Sequence, residues 1–118
     1  MKHILLIDDE ADIRETLRKK LEQNGFDVSE AGSVADGIAV IKQTPIDLIV
    51  VDLVMPTGHG SGLAYELKAI GRENIPVIIL SNVDSTSYPD NVKEYLIKSD
   101  TSLDRIVSRI SYHLGISD

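Results

Sequence analysis

The chain has no cysteine and no tryptophan, and only one Phe and four Tyr among its 118 residues. Without cysteine there is no disulfide framework and no thiolate metal site, which is compatible with a reducing compartment. So few aromatics leave the core to Ile, Leu, Val and Ala. Basic clusters are missing as well. Against 19 Asp and Glu stand 12 Lys and Arg, a formal net charge of −7, so direct binding to nucleic acid or to an anionic membrane is not expected. Nor is there a long apolar run. Ile4 to Ile7 falls short of the roughly 7–15 residues of a signal-peptide core, and no stretch approaches the ~18 of a membrane span. What remains is an ordinary globular composition, 42% hydrophobic and 26% charged, at a length that suits one domain of about 100–150 residues. The expectation is a single cytoplasmic domain over residues 1–118.

The pattern along the chain alternates plainly between strand and helix. Ile4–Ile7 is a short apolar run ended by Asp8 and Asp9, after which Ile13, Leu17 and Leu21 fall at helical spacing. Asn24-Gly25 stops that helix, with Gly25 as a left-handed cap, and a second strand follows over Asp27–Ala31. Ser33 and Asp36 read as a capping box for a helix that buries Val34, Ile38 and Ile41, closed by Pro45. Leu48–Val51 is a third strand. A further helix opens near Ser61, carries Leu63, Leu67 and Ile70, and ends at Gly71. Val77–Leu80 and Tyr95–Ile97 are the last two strands. Thr101 with Asp104 is expected to cap a final helix bearing Leu103, Ile106, Val107, Ile110 and Leu114. Residues 81–91 are polar and contain Pro89, so they read as a loop, with at most a turn or two of helix near Asp90–Lys93. Short apolar strands alternating with helices predict an α/β fold, a doubly wound five-stranded parallel sheet whose fourth helix is short or absent.

In an open parallel sheet, ligands bind beyond the carboxyl ends of the strands. Asp8, Asp9 and Glu10 lie just past the first strand, Asp52 ends the third, Ser81 follows the fourth, and Lys98 follows the fifth. Each has a bland explanation taken alone: a helix cap for the acidic pair, a turn for Ser81, a solvated strand end for Lys98. Asp52 has the weakest, because an unpaired carboxylate at the end of a buried run is costly. Together they predict a pocket of several carboxylates, one hydroxyl and one ammonium. Carboxylates without His or Cys favour a hard, oxygen-seeking cation such as Mg²⁺. A carboxylate beside such a metal can attack phosphorus to give an aspartyl-phosphate, with Lys98 and Ser81 binding the phosphoryl oxygens. The three histidines, His3 opening the first strand, His59 in the loop after Asp52 and His113 on the last helix, show no metal spacing.

These residues resemble the receiver domain of two-component response regulators, a flavodoxin-like (CheY-like) fold, over essentially the whole chain. The resemblance rests on Asp8-Asp9, on Asp52 with Pro56 and Gly60, on Ser81, and on Tyr95 and Lys98 at the fifth strand. It implies that Asp52 accepts a phosphoryl group from a sensor histidine kinase or phosphotransfer protein and that a partner-binding surface then switches toward an output partner the sequence does not identify. It implies Mg²⁺ held directly by Asp9 and Asp52, through water by Asp8, and by the backbone carbonyl of Val54. Ser81 and Tyr95 match the family's switch pair. Catalysis is expected to extend at most to self-phosphorylation from a phosphodonor and autodephosphorylation.

Two departures stand out. Ser99 follows Lys98 where the family usually has proline, often in a cis peptide; a cis bond before a non-proline residue costs about 2.5–4 kcal/mol, so a trans bond is expected. The stretch between Ser81 and Lys98 is also shorter than usual, so the family's partner surface there is expected to be rebuilt or unused. Val54 and Val83 flank the expected pocket and cannot orient a water by hydrogen bonding, which predicts a long-lived phosphoryl group. The main alternative is a pseudo-receiver, a binding module that signals without phosphate. A phosphatase of the haloacid dehalogenase type would need an aspartate where Glu10 stands and a Thr or Val where Asp12 stands, and a flavin-binding domain would need a phosphate loop where Asp8 and Asp9 stand.

Overall fold

A computed structural model describes residues 1–52, 54–55, 58–59, 61–81 and 91–116, with backbone alone at 54–55, 58–59 and 61. Strand β1 (His3–Ile7) leads to helix α1 (Ala11–Gln23), β2 (Asp27–Ala31), α2 (Val34–Gln43) and β3 (Leu48–Val51). Two short strands, β4 (Val54–Met55) and β5 (Gly58–His59), come before α3 (Ser61–Ala69), followed by β6 (Val77–Ser81), β7 (Val92–Ile97) and α4 (Leu103–His113).

Five strands form one parallel sheet in the order β2-β1-β3-β6-β7. The chain runs outward from β1 to β2 and then returns to the other side of β1 with β3, so the strand order reverses between β1 and β3. Alternate side chains of each strand enter two cores. Leu5, Ile7, Ile49, Val51, Val77 and Ile79 pack with Ile41, Leu63 and Leu67 of α2 and α3. Ile4, Leu6, Val50, Ile78, Leu80 and Leu96 pack with Leu17, Leu21, Ile106, Val107 and Ile110 of α1 and α4. Burying each such side chain contributes about 1.5–3 kcal/mol, and these two layers, built almost without aromatics, hold the sheet. The doubly wound arrangement expected from the alternation is the observed one.

Local signals account for most of the boundaries. Gly25 takes φ 88° after α1, the left-handed region that favours glycine. Ser33 accepts from the Asp36 amide at 3.1 Å and caps α2. Gly37 brings α2 against β1 so closely that a side chain there would collide with Ile7 Cδ1.

Several expectations are corrected. The cap of α4 is Ser102, which accepts from the Arg105 amide at 3.1 Å; the Thr101 hydroxyl instead donates to the Ile97 carbonyl at 2.7 Å. β7 begins at Val92, so Val92 and Lys93 are strand and not helix, and Ser81 is the last residue of β6. Residues 82–90, which carry the rest of that expected loop and Val83, lie outside the described residues. His59 belongs to an antiparallel ladder with Val54 and not to an irregular loop. Ile13 and Leu103 are each 37% exposed, because α1 and α4 part at one end. They border a cleft of about 430 Å³ together with Leu17, Leu80 and Ile106. Ile70 is likewise on the surface.

Candidate functional site

The carboxyl ends of four neighbouring strands supply the site. Asp8 follows β1, Asp52 follows β3, Ser81 ends β6 and Lys98 follows β7, so the groups meet at the edge where the strand order reverses. Backbone hydrogen bonds extend the sheet by one residue at each acid. The Asp8 amide donates to the Ala31 carbonyl at 3.1 Å, and the Asp52 amide to the Ile7 carbonyl at 3.0 Å. Both acids are thereby fixed relative to the central strands before their side chains make any contact.

Asp8 and Asp52 are buried, at 7% and 8% exposure. Lys98 answers that burial. Its Nζ lies 2.7 Å from Asp8 Oδ2, 3.4 Å from Asp52 Oδ2 and 3.5 Å from Glu10 Oε1. Burial alone would lower the lysine's pKa, but the hydrogen bond and charge of Asp8, with the charges of Asp52 and Glu10, outweigh it and raise it above the usual 10.5. Lys98 is therefore a fixed positive charge. The other Asp8 oxygen accepts from the Glu10 amide at 2.9 Å, which turns the chain so that Asp9 and Glu10 point to the same place.

One ammonium does not balance this pocket. Carboxylate oxygens of Asp8, Asp9, Glu10 and Asp52 all lie within 4.8 Å of one another. Four carboxylates so close repel each other strongly, and a hard divalent cation relieves that repulsion with the oxygen donors it prefers. Asp9 and Glu10 are exposed while Asp8 and Asp52 are buried, so the cluster has an open side facing solvent. The residues present fit Mg²⁺.

The sequence-predicted residues therefore converge in most respects. Asp8, Asp9, Asp52 and Lys98 form one cluster, and Ser81, buried at 2%, ends the strand beside it. Tyr95 lies two residues before the end of β7, paired in register with Ile79, and its ring packs against the core that α2 and α3 cover. Val54 is placed only as the backbone of β4. Lys98 reaches the acids even though Ser99 follows it, and no cis peptide occurs among the described residues; the expected trans bond does not shorten its reach.

Sequence reasoning missed Arg14. Its guanidinium donates through Nη1 to the Asp8 carbonyl and through Nε to Glu30 on β2 at 3.0 Å. An arginine on an amphipathic helix ordinarily reads as solvated surface. The available signal was its position one turn into the helix that begins directly after the acidic pair.

The model of the response regulator receiver domain matches residues 4–103. The chain belongs to that family. As a receiver domain it is a phosphoacceptor module of two-component signal transduction. Among solved structures it is similar to the receiver domain of the Francisella response regulator 1452, with a TM-score of 0.85 and 30% identity over 98% of each chain. It is also similar to the response regulator TrrA of Thermotoga maritima, solved in complex with Mg²⁺ and BeF, with a TM-score of 0.84 and 26% identity over 95% of this receiver and 98% of that chain. A probable transcriptional regulator of Porphyridium aerugineum, ycf27, is 36% identical over 84 residues, which cover 71% of this receiver and 34% of that protein. The receiver thus spans about a third of the length of that relative.

Proposed function

We propose that Asp52 is the phosphoacceptor, and that residues 1–118 act as one receiver domain whose phosphorylation by a histidine kinase or phosphotransfer protein is Mg²⁺-dependent. The observation that carries this reading is the surplus of carboxylates around a single lysine at the strand ends. Asp9 and Asp52 would hold the ion directly, Asp8 through water, with the Val54 carbonyl as a further donor. Bound there, Mg²⁺ would offset the negative charge of an incoming phosphoryl group. A carboxylate oxygen of Asp52 attacks the phosphorus of a phosphohistidine. The O–P bond forms, the P–N bond breaks, and the imidazole nitrogen leaves with the electron pair. Lys98 stabilises the transferred oxygens as a charge and Ser81 as a neutral donor.

Ser81 and Tyr95 form the switch pair. A phosphoryl group on Asp52 would draw the Ser81 hydroxyl, and the Tyr95 ring, on the neighbouring strand, would be favoured in its inward position, a population shift driven by contacts to the phosphate. The acidic chain is proposed to work in the cytoplasm and to signal to protein and not directly to nucleic acid; no helix among the described residues is long and apolar enough to cross a membrane. Val54 and Val83 support a slow loss of the phosphoryl group, and a half-life unchanged on replacing either by a polar residue would refute that.

The test is intact-protein mass after incubation with acetyl phosphate, with Mg²⁺ or with chelator. A single Mg²⁺-dependent phosphate adduct, absent in Asp52→Ala, is expected. A folded protein that takes no phosphate from a donor that phosphorylates a control receiver would overturn the reading in favour of a pseudo-receiver.

A further inference from the structure

Asp8 has a partner at every polar atom. Its amide donates to Ala31 of β2, Oδ1 accepts from the Glu10 amide, and Oδ2 takes Lys98. Its carbonyl is the atom at which the β1 ladder has run out, and there the Arg14 guanidinium supplies the donor that a neighbouring strand no longer offers. Arg14 cannot swing away freely, because its Nε is held by Glu30. Glu30 is in turn paired with Arg18, and Arg18 with Glu22. The result is a tie from the middle of α1, across to β2, and back to the peptide that joins Asp8 to Asp9.

We infer that Arg14, anchored by Glu30, is a positioning residue that holds the Asp8–Asp9 peptide in the orientation needed to bind a divalent cation. The inference rests on the reading of the acidic pocket as a Mg²⁺ site. Arg14 touches neither the cation nor a phosphoryl group; it acts by fixing the backbone between two of the carboxylates. A planar guanidinium can serve the carbonyl and the carboxylate at once, whereas a lysine ammonium at the end of a flexible stem does not reproduce that fork.

The sign of the effect separates this role from simpler ones. Charge alone predicts that removing a cation near an acidic pocket tightens Mg²⁺ binding. A purely structural salt bridge predicts lower thermal stability with Mg²⁺ affinity unchanged. Positioning predicts the opposite of the charge effect: weaker binding despite a more negative surrounding. Partners that orient metal ligands typically alter affinity about 10–100-fold when removed, and Arg14 sits at the weak end of that range, since Asp8 keeps its other three contacts.

The experiment measures the Mg²⁺ dissociation constant by calorimetric titration for the wild type, Arg14→Gln and Arg14→Lys, with melting temperature in chelator recorded for each. About tenfold weaker binding is expected in Arg14→Gln, with Arg14→Lys also weakened although its charge is kept. Should Arg14→Gln fail to fold, Arg14→Lys decides. Wild-type binding with equal or tighter binding in the folded variants overturns the inference and leaves the Mg²⁺ site standing. A wild type that binds no Mg²⁺ overturns both.

Discussion

Two of the charged clusters among the described residues are built on opposite rules. At the strand ends, Asp8, Asp9, Glu10 and Asp52 gather, and Lys98 reaches Asp8, Glu10 and Asp52. On the outer side of β7, Glu94 meets Arg109 and His113 of α4. Arg109 Nε lies 2.7 and 2.9 Å from the two carboxylate oxygens, His113 Nε2 lies 2.7 Å from one of them, and the guanidinium stacks 4.5 Å from the centre of the Tyr112 ring. The Glu94 cluster surrounds one acid with basic partners, so its contacts close within the protein. The strand-end cluster has acids left over, and that excess asks for a cation from outside. The balance of charge, more than its density, separates a binding pocket from a structural link.

Lys98→Met should have the largest consequence. Removing a donor aimed at developing negative charge costs about 100-fold in rate, read as the rate of adduct formation with acetyl phosphate. Mg²⁺ should nevertheless bind this variant more tightly, because the ammonium paired with the Asp8 and Asp52 carboxylates is gone; weaker binding would break the comparison. Next comes the ion itself. At about 100 times its dissociation constant, Mg²⁺ should add about 2.7 kcal/mol of stability, seen as a rise in melting temperature that chelator reverses. The same increment is expected in Glu94→Gln, whose altered cluster has no use for a divalent ion.

Glu94→Gln should itself lose about 2 kcal/mol at neutral pH, the scale of hydrogen bonds to a charged group. Burial alone would raise this carboxyl's pKa, but the hydrogen bonds of His113 and Arg109 and the arginine's charge prevail and hold it below its usual 4.5. A depressed folded value means the contribution is complete above 4.5 and disappears as pH falls through the lower, folded value. The gap in melting temperature between wild type and variant should therefore be open at pH above about 4.5 and close in stronger acid; a gap that persists there would show that the ionised form is not what stabilises. The smallest effect is expected for Arg109→Lys, about 0.5–1 kcal/mol from the lost stacking on an exposed ring, measured by urea denaturation.

The strand-end cluster was readable from sequence because its members end apolar runs. Leu48–Val51 announces a buried strand, and the position of Asp52 follows from where the run stops. The Glu94 cluster was not readable in the same way. Lys93 and Glu94 interrupt the apolar pattern of an edge strand, so β7 looked three residues shorter than it is, and nothing in one dimension links Glu94 to residues 109 and 113. Adjacent hydroxyls at Thr101 and Ser102 each suit a cap, and only the backbone path selects Ser102. Ile13 and Leu103 fit the helical stripes of α1 and α4, yet the helices part where these two lie; periodicity gives the face of a helix and not the distance to its neighbour. Asn91, buried and donating to the Ala64 carbonyl at 3.0 Å, likewise looks like loop composition until α3 is packed beside it.

The close approach of α2 to β1 at Gly37 reaches further than the packing of one helix. Ile7, which fills the space a side chain would need there, is the residue before Asp8. The strand that carries Asp8 is therefore backed by an aliphatic contact on the face of the sheet opposite α1 and α4. A methyl group at Gly37 would force the end of the Ile7 side chain to move, so helix α2 bears on the residue that precedes Asp8. Charge gathers at the end of β1, and plain packing holds the strand beneath it.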